Sequence, residues 1–271
     1  MKLTKSIGRQ AGDLLTYILL PLGCSVLPYI WGQSLICTIA QRAWLLKARS
    51  EAAVQVAREH LAVDDEAQWK TRWRLTELFE ARDLWFSMLG RSKVLTGSVR
   101  KEGMPVAMDR LVLLGMHWGP SVLALQLFRD AGLAPRFVYR KVALDILWRT
   151  PFHYLYLKLL VAYIRRICAG RDITVPGARS ELIVALNEPG TPVVLLDAPI
   201  TTKGHFIRGK VVGLEADFYR DGLDLLVAGQ ARCVLFVLGM DPGGNNVLSC
   251  KEAFQPGSAE HLLERYTEMM T

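Results

Sequence analysis

The chain has 271 residues, 51% of them hydrophobic, so it can bury the core of one large domain or of a domain with an appended segment. Its net charge of +7 suits nucleic acid, anionic lipid or a phosphate-bearing ligand, but it contains no helix-turn-helix, RNA-binding or zinc-finger motif, so we expect no nucleic-acid partner. Five cysteines without a C-x-x-C pair argue against a disulfide framework and against a metal site.

Residues 14–41 form an apolar segment without a charged side chain. About 20 helical residues are enough to cross a bilayer, but two prolines and two glycines interrupt the segment, and interior prolines kink helices. We therefore predict a membrane-embedded or interfacial helical hairpin, and we treat residues 1–47 as an N-terminal, apolar, membrane-associating segment. The alternative is a pair of apolar helices buried within the fold.

Residues 48–93 have the composition and periodicity of helices. Good helix formers dominate the first part, and apolar residues recur at spacings of three and four between Trp69 and Met88. Asp64 and Asp65 suit the start of the second helix. Tryptophans among basic residues are typical of a helix on a membrane surface, and an ordinary core-facing helix explains the pattern equally well.

From residue 111 onward, apolar runs typical of buried strands alternate with helical stretches. The runs that predict strands are RLVLLGMH, APRFVYRK, DITV, TPVVLLDAP and ARCVLFVLGMD. This alternation predicts an α/β fold, a mostly parallel central sheet with helices on both faces, in a domain over residues 48–271. The DPGGNN stretch at 241–246 predicts a hairpin or a loop.

Polar residues end three of the predicted strands, namely His117, Arg140 and Asp197. Ligands of open parallel sheets bind at the carboxyl ends of the strands, so these residues are candidates for a functional site as a group. Singly, each has an ordinary alternative, because polar residues at strand ends also cap helices or contact water.

Four stretches occur in an order that resembles a known family: LLGMHWGPS, FVYRKV, GARSELIVALNEPGTPVVLLDAP and GLDLLVAGQARCVLFVLGMDP. The family is that of the bacterial lipid A biosynthesis late acyltransferases, the lauroyl/myristoyl acyltransferases, within the lysophospholipid and glycerol-phosphate acyltransferase superfamily. The resemblance covers roughly residues 14–255. It implies an enzyme at the cytoplasmic face of the bacterial inner membrane that uses an acyl-carrier-protein or coenzyme A thioester.

In this family a histidine begins an H-x4-D or H-x4-E motif, acts as the general base on the acceptor hydroxyl and is oriented by the carboxylate. His117 matches the histidine, but Val122 stands at the acidic position. Three interpretations follow: Asp197 supplies the carboxylate from the same sheet edge, His117 works without a partner, or catalysis has been lost and the protein binds an acyl chain or a partner.

Acyl transfer also needs donors for a tetrahedral oxyanion. Backbone N–H groups at Trp118, Gly119 and Ser121 are candidates, and Gly119 permits close backbone approach. The Ser121 hydroxyl has two candidate roles, a contact with His117 and a cap on the following helix, and the cap is the more ordinary role.

Three arginines are candidates for the phosphate of the donor or acceptor, because arginine binds phosphate with two parallel hydrogen bonds. They are Arg140, Arg165 and Arg166. The family has arginines in both neighbourhoods; the alternative is a solvated basic surface.

Other enzyme classes lack their motifs in this chain. There is no G-x-S-x-G elbow of the α/β-hydrolases and no glycine-rich nucleotide-binding motif. We expect an acyltransferase that moves an acyl group from its thioester to a hydroxyl or amine of a lipid or small metabolite, at a membrane surface and without a cofactor or metal. The alternative is a catalytically inactive relative that binds an acyl chain or a partner.

Overall fold

A computed structural model describes residues 10–61, 63–116, 121–175, 178–197, 205–211, 214–241 and 244–270. The chain divides into two compact units, the first formed by Met1–Gly97 and Val142–Tyr163 and the second by Ser98–Lys141 and Ile164–Thr271. The predicted boundary at residue 47 falls inside the first unit, where a helix begins.

A short π-helical segment, Leu15–Leu19, precedes the α-helices. The α-helices are α1 (Leu20–Val26), α2 (Tyr29–Ala40), α3 (Lys47–His60), α4 (Glu66–Met88), α5 (Ser92–Gly97), α6 (Ser121–Asp130), α7 (Asp145–Arg149), α8 (Pro151–Ile167), α9 (Ala178–Asn187), α10 (Arg220–Ala228) and α11 (Ala259–Met270). The strands are β1 (Arg100–Glu102), β2 (Leu111–Gly115), β3 (Pro135–Arg140), β4 (Ile173–Val175), β5 (Thr191–Leu195), β6 (Phe206–Val211), β7 (Leu214–Tyr219), β8 (Arg232–Met240) and β9 (Asn246–Cys250).

The first unit is helical, and its N-terminal helices pack on α4. The apolar segment forms two helices rather than one because the backbone of Leu27 is extended. A proline disfavours the helical conformation of the residue before it, so α1 ends before Pro28 and α2 begins after it. Cys24 on α1 and Ile36 on α2 are fully buried. In the part of the chain that the structure describes, no helix combines the length and apolar character needed to cross a bilayer.

The predicted helices at 48–93 are confirmed as α3 and α4. Asp65 caps α4, since its Oδ1 accepts a hydrogen bond of 2.9 Å from the backbone N–H of Gln68. Helix α7, and helix α8 as far as Tyr163, complete the first unit, with a break between the two helices at Thr150, where the next residue is Pro151.

The second unit contains a seven-stranded sheet of order β1-β9-β8-β2-β5-β3-β4. All neighbouring strands are parallel except β8 and β9, which pair as an antiparallel hairpin, one of the two alternatives that the stretch at 241–246 predicted. The predicted α/β class and mostly parallel sheet are therefore confirmed. A separate antiparallel hairpin consists of β6 and β7.

Strand β2 is buried along its whole length, which explains its continuous apolar sequence. Leu114 belongs to a core that includes Leu186 of α9, Leu226 of α10 and Leu262 of α11. On the other face, Phe128 of α6 packs edge-on against Phe236 of β8, with 4.9 Å between the ring centroids. Helices therefore cover both faces of the central strands, as the alternation predicted.

Candidate active site

The carboxyl ends of β2 and β5 lie side by side in the middle of the sheet. Gly115 pairs with Leu195, and the backbone N–H of Leu196 donates a hydrogen bond of 3.0 Å to the Gly115 carbonyl. Asp197 follows in a turn and is half-buried. The structure thus places Asp197 at the carboxyl ends of the parallel strands, where the sequence predicted it.

A buried tyrosine joins this edge from the C-terminal helix. Tyr266 of α11 is fully buried, and its hydroxyl donates a hydrogen bond of 3.2 Å to the Gly115 carbonyl. Burial, together with the nearby Asp197 carboxylate, raises the pKa of the Tyr266 hydroxyl, so the phenol stays protonated and keeps donating. The Gly115 carbonyl thus accepts bonds from two directions, which fixes the end of β2 beside Asp197.

Gly115 is required by the packing at this edge. A Cβ atom there would lie 2.5 Å from Cζ of Phe236, whose ring is buried against Phe128. Real side chains do not approach so closely, so any residue larger than glycine would displace the ring or the strand. The end of β2 is therefore closely packed.

Arg140 is the last residue of β3, the strand on the far side of β5 from β2. Phe137 pairs with Val193, so Arg140 and Leu196 stand three residues further along their parallel strands. Arg140 is exposed. The structure therefore brings Arg140 and Asp197 to the same edge of the sheet, where an exposed guanidinium can contact an anionic ligand.

Arg165 and Arg166 lie in the last turn of α8, and both are exposed. The Arg165 Nε atom lies 3.6 Å from Oδ1 of Asp172, and Oδ2 of Asp172 accepts a hydrogen bond of 2.7 Å from the Tyr139 hydroxyl. Asp172 directly precedes β4, so this ion pair lies at the amino end of the outermost strand. The structure does not bring Arg165 to the carboxyl edge where Asp197 lies.

His117, Trp118 and Gly119 lie outside the described residues. Ser121 is the first residue of α6, which confirms a helix start there, while its side chain lies outside the described part. Val122 follows in the first turn of α6 and is 5% exposed. An apolar, buried residue thus occupies the position of the family's carboxylate.

No pattern in the sequence indicates that Tyr266 lies at the carboxyl ends of these strands. It lies in an amphipathic helix, where an aromatic residue is ordinarily a core residue, and its hydrogen-bond partner is 151 positions away. An unpatterned tyrosine can be assigned to a site only once the packing of α11 is known.

All five cysteine thiols are free. Burial raises the pKa of Cys233 and of Cys250 to about 12, so both thiols are protonated and poor nucleophiles. Among the residues that the structure describes, no cluster of histidine, cysteine and acidic side chains could hold a metal ion.

No protein-family model and no curated protein matches the chain. The resemblance to the late acyltransferases is therefore carried by the four quoted stretches alone, and the activity that it implies is treated below as a proposal.

Proposed function

We propose that the protein is an acyltransferase that moves an acyl group from an acyl-carrier-protein or coenzyme A thioester to a hydroxyl or amine of a lipid or small metabolite. The observation that carries the proposal is the position of Asp197 beside Gly115. His117 follows Gly115 by two residues in the sequence, and two residues of chain reach at most about 7 Å. Asp197, which follows β5, is therefore our candidate to replace the carboxylate that is missing at position 122.

In the proposed reaction, the acceptor oxygen or nitrogen attacks the thioester carbonyl carbon while His117 removes the proton from that attacking atom. Asp197 orients the imidazole and stabilises the imidazolium. The tetrahedral intermediate then collapses, the carbon–sulfur bond breaks, and the proton held by His117 passes to the leaving thiolate. Atoms and charges balance without a metal or a redox cofactor.

Two further elements have roles in this proposal. The backbone N–H groups of Trp118, Gly119 and Ser121 are assigned to the oxyanion. Arg140, exposed at the end of β3, is assigned to a phosphate of the donor or acceptor. Arg165 and Arg166 are weaker candidates, because Arg165 pairs with Asp172 at the other end of an edge strand.

We also propose that the protein works at the cytoplasmic face of the bacterial inner membrane. Large apolar side chains are exposed in the first unit, among them Ile30, Trp31, Trp44 and Trp148, each more than 60% exposed. Tryptophan is enriched at membrane–water interfaces, so these side chains suit an interfacial contact. An interfacial contact requires no helix that spans the bilayer.

The direct test measures thioester consumption by the purified chain with acyl-coenzyme A and with acyl carrier protein, and mass spectrometry identifies the acylated product. His117→Ala is expected to abolish turnover. Asp197→Asn is expected to lower the rate by about four orders of magnitude, as the loss of an orienting carboxylate does in a serine-protease triad. His60→Ala, at an exposed position on α3, is the matched control and should retain full activity.

A second candidate function is a catalytically inactive relative that binds an acyl chain or a partner, and the buried Val122 favours it. The two candidates differ in one measurement. Binding of a fatty acyl chain without any turnover that depends on His117 would support the second function and contradict the first.

A further inference from the structure

The first unit contains an open cavity of about 370 Å³ between the N-terminal parts of helices α3 and α4. It is lined by Gln41 and Ala43 after α2, by Lys47, Ser50 and Glu51 of α3, and by Glu66, Ala67, Lys70, Thr71 and Arg74 of α4. None of these residues belongs to the proposed active site, so ligand binding in this cavity is independent of acyl transfer.

A buried arginine forms part of the cavity wall. Arg74 is only 4% exposed, yet its hydrogen bonds go to neutral acceptors: Nε donates to the Ala40 carbonyl at 2.7 Å, and the terminal nitrogens donate to Ser50 Oγ at 3.4 Å and Thr71 Oγ1 at 3.3 Å. A guanidinium has five N–H donors, and these hydrogen bonds use three of them. One N–H group on each terminal nitrogen is left over.

The charge of Arg74 has no carboxylate partner among the described residues. Buried charges in proteins are normally paired, since removal from water is costly. Burial lowers the pKa of the Arg74 guanidinium, which is the direction expected for a cation without an anion beside it. A guanidinium that is buried, unpaired and open to a cavity is suited to receive an anion from solution.

Two lysines add positive charge at the same cavity. Lys47 is the first residue of α3 and lies 4.0 Å from Glu51, while Lys70 of α4 contacts Glu66, which Arg58 also contacts. The two acids therefore neutralise part of the surrounding charge. Among the lining residues, the three cations Lys47, Lys70 and Arg74 outnumber the two carboxylates.

The backbone contributes in the same direction. Helix α3 has 14 residues, and its N-cap residue, Leu46, forms no side-chain cap. The first N–H groups of a helix lack internal partners and carry partial positive charge. The cavity thus combines an uncapped helix start with a buried guanidinium and two ammonium groups.

We propose that this cavity is a binding site for a tetrahedral oxyanion of the phosphate type. The Arg74 guanidinium in the cavity wall, Lys47 and Lys70 supply positive charge, and the start of α3 adds the partial positive charge of a helix N-terminus. Phosphate can come from solution or from a lipid headgroup, and the chemistry of recognition is the same for both.

The test is isothermal titration of the intact chain with inorganic phosphate at constant ionic strength. We expect saturable binding that weakens about fivefold in Lys47→Gln and in Lys70→Gln. Arg72→Gln removes the same charge from an exposed position of α4 outside the cavity and should leave the affinity unchanged. Arg74→Gln should abolish binding, and the two lysine variants keep the test valid if that variant does not fold.

Removing a carboxylate gives a readout that a purely structural role would not produce. Glu51→Gln takes away a like charge at the rim, so it should tighten phosphate binding about fivefold. Absence of saturable phosphate binding, or equal affinities for Lys70→Gln and Arg72→Gln, would overturn the proposal.

A second arm distinguishes the two sources of phosphate. Phosphatidylcholine vesicles with and without phosphatidic acid are tested by co-sedimentation. Binding that requires phosphatidic acid and is displaced by inorganic phosphate identifies a headgroup as the ligand. Phosphate binding without vesicle binding identifies a soluble phosphate. Failure of both arms refutes the site and leaves the thioester assay of the proposed function unaffected.

Discussion

The two units of the chain differ in what they bury. The first unit buries the charged residues Asp13, Arg74, Arg82 and Asp83 to 4% exposure or less, whereas in the second unit Arg136 is 8% exposed and the Asp172 side chain 7% exposed. Backbone hydrogen bonds join neighbouring strands of a sheet directly, so its core can be apolar. Helices satisfy their backbone internally, and we infer that buried polar contacts set their mutual position in the first unit.

Arg82 shows how such contacts work. Its guanidinium is fully buried, donates to Asp83 Oδ1 at 2.9 Å and 2.6 Å, also contacts Gln33 of α2, and stacks 4.5 Å from the Phe79 ring centroid. The Ser25 hydroxyl of α1 bonds to the Arg82 carbonyl. One short stretch of α4 thereby holds both α1 and α2.

The largest effect is expected when this ion pair is broken. Asp83→Ala leaves the Arg82 guanidinium buried without a carboxylate and should lower the free energy of unfolding by about 3–5 kcal/mol. Urea denaturation followed by tryptophan fluorescence measures it. The control is Glu215→Ala, which removes an exposed partner of Arg208 on the β6–β7 hairpin and should cost less than about 1 kcal/mol.

The double variant Arg82→Met/Asp83→Ala removes both charges and should recover most of the loss. If Asp83→Ala cost no more than Glu215→Ala, the view that buried charge organises the first unit would be wrong.

The sequence predicted five strands of the sheet because β2, β3, β4, β5 and β8 are apolar runs bounded by turn residues. It did not predict β1, whose three residues are all exposed, or the β6–β7 hairpin, in which charged residues alternate along both strands. A strand without an apolar run gains its structure from its partners, and single-sequence patterns do not contain that information.

The candidate site likewise contains residues that the sequence could place and residues that it could not. Asp197 and Arg140 could be placed at one sheet edge from the sequence, because parallel strands end together. Tyr266 could not, since its position depends on how α11 packs on the sheet. Arg165 was grouped with them by sequence, but its contact with Asp172 depends on the connection between α8 and β4, which brings it to the amino end of β4.

A smaller loss of stability is expected when a substitution disturbs close packing rather than a buried charge. Gly115→Ala places a Cβ atom against the Phe236 ring and should lower the free energy of unfolding by about 1–3 kcal/mol. Gly239→Ala on β8 is the control, since no atom lies within 4 Å of the added carbon. Equal costs for the two alanine variants, measured by urea denaturation, would contradict the close packing at the end of β2.

The smallest effect on stability is expected for His153, which lies beside a charged network formed by Tyr17, Glu77 and Arg49 in the first unit. His153 stacks on Tyr17 with 4.8 Å between ring centroids, and the Tyr17 hydroxyl donates to Glu77 at 3.0 Å and accepts from Arg49. Burial, and then the positive charge of Arg49, lower the pKa of His153 to about 4, from an ordinary value of 6.5. Because the ring is only half-buried, we expect its contribution to stability to be modest.

The sign of the pH dependence follows from linkage. Above pH 6.5 the ring is neutral in both states; as the pH falls from 6.5 to 4 the unfolded chain binds the proton first, so stability is lost. Burial raises the pKa of Glu77, and that group contributes in the opposite direction, so a difference between variants is needed. The stability advantage of the wild type over His153→Gln should shrink between pH 6.5 and 4, measured by urea denaturation at a series of pH values. An advantage that grows on acidification would mean that His153 is stabilised in its charged form, and the charged network would then have to be reassigned.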